Sequence, residues 1–171
     1  MIASLCVTAA SAQYSAIRVN TLGWATGTLN AGLDVTVAEQ WSVEACWYRN
    51  PIATKTFRID ATMVSAGVRW WRFEPHVGRF VGFHAATILY DAGGKNSHYK
   101  GWMAGLGASY GYAWMLGTRW NLAAEFGLGL YCMRDTKYNY YQDPWQDKII
   151  WHYRRIVVAP TRAEFSFAYL F

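Results

Sequence analysis

The 171 residues predict an all-β chain: an eight-stranded antiparallel transmembrane up-and-down β-barrel. Three observations lead there. Apolar residues alternate with small or polar ones over eight segments, the period-two pattern of strands whose faces meet different surroundings. Short and long connections alternate between those segments, as in outer-membrane barrels. Aromatic residues make up 18% of the chain, with 10 Trp and 12 Tyr. No apolar run after the N-terminus is long enough to span a membrane as a helix, whereas girdles at two membrane interfaces account for such an aromatic excess.

Residues 1–12 are small and apolar and end in Ala10-Ser11-Ala12. They have the h-region and cleavage site of a secretory signal peptide, without a positive n-region. Removal after Ala12 is expected, leaving residues 13–171 as a single barrel domain; the alternative is an ordinary buried N-terminal strand.

The first strand is expected over residues 16–24, the least regular of the eight. The second, 30–39, sets Ala31, Leu33, Val35 and Val37 against Gly32, Asp34 and Thr36. The third, 41–48, sets Trp41, Val43, Ala45 and Trp47 against Ser42, Glu44 and Cys46. The fourth, 62–73, opposes Val64, Ala66, Val68 and Trp70 to Ser65, Gly67, Arg69 and Trp71. The fifth, 80–90, opposes Val81, Phe83, Ala85 and Leu89 to Gly82, His84, Ala86 and Tyr90. Residues 102–115 show the alternation best, from Trp102 to Trp114 at even positions, and 120–133 repeat it from Trp120 to Cys132. The eighth, 161–171, opposes Ala163, Phe165, Phe167, Tyr169 and Phe171 to Arg162, Glu164, Ser166 and Ala168. Gln40, Glu74–Arg79 and Gly117–Arg119 are short turns. Residues 25–29, 49–61, 91–101 and 134–160 are the longer connections. An even strand number puts both termini on the short-turn side, the periplasm.

Volume decides which face points inward. An eight-stranded barrel has an interior just wide enough for side chains to fill. Trp41, Trp47, Trp70, Trp102, Tyr110, Tyr112, Trp114, Trp120, Phe126 and Phe165 would overfill it. The opposite faces carry Gly32, Gly67, Gly105, Gly107, Gly111, Gly127 and Gly129, which suit a crowded lumen. The aromatic faces therefore point to lipid, and Trp41, Trp70, Trp102, Trp114, Trp120 and Phe171, near strand ends, form the expected girdle. The inward faces collect Arg18, Asp34, Glu44, Arg69, His84, Glu125, Arg162 and Glu164. Buried charges must be paired or hydrated, so a lumenal polar network that plugs the barrel is expected. A structural role for it outweighs a proton or ligand path in so narrow a lumen.

The net charge of +5 and pI of 9.2 raise nucleic acid as a partner. The basic residues form no single patch, however, and are read as loop charge facing anionic lipopolysaccharide; no nucleic acid is expected. Cys46 and Cys132 fall in separate strands without C-x-x-C spacing, so no metal site is expected. A disulfide between them is one option, and two free, membrane-shielded thiols the favoured one. Nucleophilic catalysis needs a nucleophile beside a base oriented by a third group. Of His76, His84, His98 and His152 only His84 lies in a strand, and Ser97 beside His98 is too local for a dyad. No catalytic residue and no cofactor is expected.

In strand number, turn asymmetry and lumenal charge the chain resembles small outer-membrane barrels of the OmpA/OmpX type. Phe165-Ser166-Phe167-Ala168-Tyr169-Leu170-Phe171 is similar to the C-terminal signal read by the barrel-assembly machinery. More narrowly, Trp24–Asn30, Gln40–Val43, Val68–Trp71, Gly82–His84, Tyr99–Trp102, Ala108–Trp114, Arg119–Leu122 and Pro160–Ala163 resemble a family of unknown function. Its members are small outer-membrane barrels of Bacteroides-type bacteria. The resemblance implies a Gram-negative outer-membrane barrel, sometimes linked with fimbrial or cell-surface gene clusters, and no activity. In that family the long loop before the last strand often carries Cys pairs, and residues 134–160 have none.

The function expected is that of a structural or interaction barrel, an accessory subunit of an envelope or cell-surface complex. Its partners are outer-membrane lipid and lipopolysaccharide, the assembly machinery through the C-terminal strand, and a larger outer-membrane complex. Tyr140, Tyr141, Trp145, Trp151 and Tyr153 are the candidate partner loop, since aromatics are enriched at interfaces. A lipid- or lipopolysaccharide-modifying barrel enzyme and a soluble lipocalin-like carrier are the alternatives.

Overall fold

The computed structural model describes residues 15–53, 57–94, 97–139 and 151–171. Eight strands follow in chain order: β1 (Ser15–Asn20), β2 (Leu29–Ala38), β3 (Trp41–Ala53), β4 (Phe57–Trp71), β5 (Gly78–Gly94), β6 (Ser97–Met115), β7 (Trp120–Asn139) and β8 (Trp151–Leu170). Each is antiparallel to the next, and β8 pairs with β1, so the sheet closes into a ring. Ser15 and Phe171 exchange backbone hydrogen bonds of 3.2 and 2.9 Å at the closure. No helix among the described residues is long and apolar enough to cross a membrane.

The register measures the stagger of the ring. From Leu33 it runs through Ala45, Ala66, Ala85, Leu106 and Leu130 to Val158. In the other direction Leu33 faces Ile17, which faces Tyr169. Val158 and Tyr169 are eleven positions apart on β8, and one of these is a bulge residue, which leaves a stagger of about ten. In eight strands that corresponds to a tilt of about 35–45°.

The sequence-based strand limits need correction at both ends of the ring. The first strand stops at Asn20 instead of continuing to 24, and Thr21–Ala25 form a short helix, α1. Asn20 causes the break. Its side chain caps α1 by accepting from the Leu22 and Gly23 N–H groups, at 3.1 and 3.4 Å, and Asn30 clips the Asn20 backbone from β2. An Asn side chain that satisfies helix-end donors in this way competes with the strand ladder. At the other end of the ring the strands outrun their expected limits. Residues 49–53, 57–61, 91–94, 97–101, 134–139 and 151–160, read as loop, are strand. On β3 to β7 the outward positions there include Arg49, Arg58, Asp60, Asp91, Lys100 and Arg134, so the apolar stripe fades while the pairing continues, and on β8 the apolar outward residues Ile156 and Val158 lie beyond a register shift. The proposed signal segment 1–12 and Tyr140, Tyr141 and Trp145 lie outside the described residues; Trp151 and Tyr153 are in the first turnward residues of β8.

A bulge on β8 shapes the interior. Gly127 pairs with Arg162 and Leu128 with Pro160, leaving Thr161 extra. Thr161 and Arg162 are both buried in consequence, and the outward parity switches from even residues above to odd residues below. Pro160, which has no N–H to donate, sits beside the bulge where a ladder bond is already lost.

Candidate functional site in the lumen

The inward positions of six strands bring seven charged side chains together: Arg18 from β1, Asp34 from β2, Glu44 from β3, Arg69 from β4, Glu125 from β7, and Arg162 and Glu164 from β8. All are buried, Asp34 and Glu44 to 1% exposure. Glu44 and Glu125 form the centre. Glu44 pairs with Arg18, with Arg162 and with Arg69 at 3.0 Å. Glu125 pairs with Arg69, with Arg162 at 2.9 Å and with Arg18 at 3.7 Å. Asp34 flanks this centre on Arg69 at 2.8 Å. Glu164 lies on the other flank, 3.3 Å from Arg18 and 3.4 Å from Arg162. Three guanidinium groups thus face four carboxylates, an excess of one negative charge if all are ionised.

Neutral groups complete the shell. Ser109 donates to Glu125 at 2.5 Å, Tyr48 donates to Glu164, and Arg18 donates to the Cys46 thiol at 2.8 Å. Small residues make the room. A Cβ on Gly82 would press on Ser109 and Glu125, and one on Gly32 on Arg18 and Cys46. The arginine stems of β1 and β4 occupy the space that Gly32 on β2 and Gly82 on β5 leave open.

Below the network, at the short-turn end, the ring is closed by an aromatic plug. Trp71 and Phe80 are 1% exposed, with ring centroids 4.6 Å apart. The Arg69 guanidinium lies 4.7 Å from the Phe80 centroid, a cation–π contact that ties plug to network. Trp71 donates to Ser42 at 2.9 Å. His76 lies in the expected short turn and is buried: its ring is tilted against Trp71 with centroids 5.5 Å apart, its carbonyl accepts from Asn121, and its ring meets the Thr36 hydroxyl at 3.3 Å. His76 takes a left-handed φ of 69°, which turns it back into the lumen. A cavity of about 20 Å³ lined by Arg18, Asp34, Trp71, His76 and Asn121 lies between plug and network.

Of the eight sequence-predicted lumenal residues, His84 alone stays outside the ion pairs. It is buried, and neither ring nitrogen has a hydrogen-bond partner among the described residues. The sequence reading missed Tyr48, Ser109, Trp71, Phe80, His76 and Asn121 as members of the site. Trp71 and Phe80 run against the rule that placed aromatics outside, though Trp71 occupies an inward position by alternation from Arg69. Cys46 is lumenal and buried and Cys132 faces outward and is exposed; both are free. The membrane-shielded reading therefore cannot apply to Cys46.

The outer face has the opposite character. Leu106, Ile156 and Val158 are 70–72% exposed, and Val64, Phe83, Leu128 and Leu130 are more than half exposed. Trp41, Trp70, Trp114, Trp120 and Phe171 stand outward near the short-turn end, and Trp102 toward the other. Trp120 packs against Phe167 and Tyr169, with centroids 5.1 and 4.9 Å apart.

The chain belongs to DUF3575, a protein family of unknown function whose model matches residues 1–171. No curated protein and no solved structure matches it.

Proposed function

We propose that this DUF3575 member is an integral outer-membrane β-barrel with a structural or interaction role, an accessory subunit of an envelope or cell-surface complex. One observation carries the reading: the polarity of the ring is inverted. Charged side chains fill the inside, and an apolar wall stands outside. Exposed apolar patches beyond a few hundred Å² mark a membrane or partner surface, and here the wall goes round the ring. On β6 the outward residues from Trp102 to Trp114 are apolar or aromatic, and on β7 those from Trp120 to Cys132. At strand rise and the tilt above, each stretch rises about 30 Å, near the apolar band of about 25 Å of such barrels. Closure of the ring leaves no unpaired edge, which a hydrocarbon surrounding requires.

In this reading the short turns and both termini face the periplasm, and β8 presents its alternating aromatic end to the assembly machinery. A lumen crossed by arginine–carboxylate pairs and closed by Trp71 and Phe80 suits a brace better than a channel or a lipocalin-like apolar cavity. The buried charged groups are ion-paired with one another and shielded from solvent. The extended β7–β8 hairpin is the surface offered to lipopolysaccharide and to a larger complex.

The test is membrane fractionation followed by electrophoresis of unheated and boiled samples. The expected result is detergent-extracted protein in the outer-membrane fraction, with a mobility change on boiling. Soluble periplasmic protein without that change would refute the reading.

A further inference from the structure

We propose that Lys100, Arg134 and Arg154 form a binding site for a phosphorylated lipid headgroup on the outer wall of β6–β8; this rests on the membrane reading above. The three residues are exposed and stand one outward position above Trp102, Cys132 and Ile156, the upper end of the apolar wall. Arg134 lies directly opposite Arg154 in the β7–β8 register. Lys100 lies opposite Thr136 on β7, which makes it the diagonal neighbour of Arg134, and opposite Asp91 on β5. Adjacent strands are about 4.8 Å apart, so three cations share one small patch. Like charges directly opposite each other destabilise a sheet, and among the described residues none of the three has a carboxylate within salt-bridge distance.

The rest of the same rim is built differently. On β3–β5 the outward cations are matched, Arg49 with Asp60 at 2.6 Å and Arg58 with Asp91 at 3.4 Å. Arg155, next to Arg154, reaches Asp135 at 3.2 Å. On this rim the directly opposed like charges are therefore Arg134 and Arg154, and Lys100 beside them faces Asp91, which Arg58 already engages. A ligand that relieves the repulsion must be anionic, and arginine forks suit phosphate oxygens in bidentate geometry. The wall directly beneath, with Ile156, Val158 and Leu130 pointing outward, is apolar enough to take acyl chains. An amphiphile with phosphate above and acyl chains below fits both halves of the surface.

The experiment uses the full chain refolded in zwitterionic detergent and mixed with bisphosphorylated lipid A, with the same glycolipid after phosphatase treatment, or with inorganic phosphate. Lipid retained on the barrel is read by native mass spectrometry. Wild type is expected to retain lipid A at least tenfold better than the dephosphorylated form. K100Q/R134Q/R154Q should lose that preference, and the ion-paired control R49Q/R58Q should keep it. Arg134→Glu is expected to raise the unfolding midpoint in detergent alone, because it pairs with Arg154, while cutting lipid A retention tenfold or more. A purely structural arginine would not give opposite changes in the two readouts. Equal retention by wild type and the triple variant, or equal loss in the control, would overturn the site. Displacement of lipid A by low-millimolar inorganic phosphate would assign the patch to free phosphate and overturn the lipid. A protein that folds and shifts on boiling yet shows no phosphate preference removes this site alone; one that neither inserts into vesicles nor shifts removes the membrane reading itself.

Discussion

Removing a cation from the lumen should cost more than removing a carboxylate, because the network already holds one carboxylate in excess. Arg69→Met leaves two guanidinium groups against four carboxylates. Asp34 loses its one salt-bridge partner among the described residues, Glu44 and Glu125 each lose one of three, and the cation–π contact on Phe80 disappears. Stranding buried charge in this way typically costs about 3–5 kcal/mol. Glu125→Gln instead brings the count to three against three. Arg69 keeps Asp34 and Glu44, Arg162 keeps Glu44 and Glu164, and Arg18 keeps Glu44 and Glu164. The amide retains an acceptor for Ser109, so the loss is the charge-assisted part of its bonds, about 1–3 kcal/mol. Urea unfolding in detergent micelles, followed by tryptophan fluorescence, separates the two. With a slope of about 1–3 kcal/mol per molar urea, the Arg69→Met midpoint should lie on the order of 1 M below that of Glu125→Gln. The double variant R69M/D34N, with two cations and three carboxylates, should recover part of the loss. A Glu125→Gln midpoint at or below that of Arg69→Met, or no rescue by Asp34→Asn, would refute the charge-excess reasoning.

Leu128→Arg tests the outer wall: at mid-band in lipid it should cost about 2–4 kcal/mol and deplete the heat-modifiable form, whereas in water a half-exposed leucine would accept the change with little effect. Gly111→Ala should lower the unfolding midpoint by about 1–3 kcal/mol, since a Cβ there would overlap the Phe80 ring and the Ala124 carbonyl; Gly117→Ala, which meets nothing within 4 Å, should be silent. Reconstituted protein should react with a lipid-soluble maleimide at Cys132 while Cys46, buried under Arg18, reacts only after denaturation; mass mapping that finds Cys46 modified in the folded state would contradict the lumenal assignment.

Much of this was legible because period two survives wherever the two faces differ. From Trp102 to Trp114 and Trp120 to Cys132, every residue falls on the side that alternation assigns. Volume then oriented the faces, and the inward charges came together because alternation from Gly32, Gly67 or Gly127 leaves few other places for them. Three things were hidden. Above Trp47, Val64 and Trp102 the outward residues are Arg49, Thr62 and Lys100, so the contrast between faces fades although the ladder continues. The bulge at Thr161 reverses parity, so a reading that kept odd residues outward below it could not be carried upward through Pro160. Asn20 turned the first strand into a capped helical turn through hydrogen bonds to Asn30 and Phe165, partners remote in sequence. The aromatic plug escaped for a related reason: the volume rule holds for a barrel as a whole, and one end has room for Trp71 and Phe80 because Gly111 and Ala113 stand opposite.

The lumenal network is better understood as fixing register than as a source of net stability. Replacing a buried ion-pair cluster by apolar residues of similar volume is often neutral or stabilising. In the proposed membrane setting, lipid tails outside are as apolar as leucine, so the wall would gain little from choosing one alignment over another. Backbone ladder bonds are equally available after a slip. The charges are what differs: a one-residue slip exchanges the faces of a strand and would move Arg162 and Glu164 from their partners on β1, β3 and β7 onto the apolar outer wall. The β7–β8 pair, where the bulge offers an alternative alignment, should be the most sensitive. Leu130 and Val158 are direct partners, and a one-residue slip would bring Ala159, which pairs with Gly129, opposite Leu130 instead. In the wild-type background, L130C/V158C should form a disulfide readily and L130C/A159C poorly. With Arg162→Met and Glu164→Leu added, the second pair should gain cross-linking at the expense of the first even where the unfolding midpoint holds. Unchanged selectivity between the two pairs in that background would show that the bulge and the turn set the register without help from the charges.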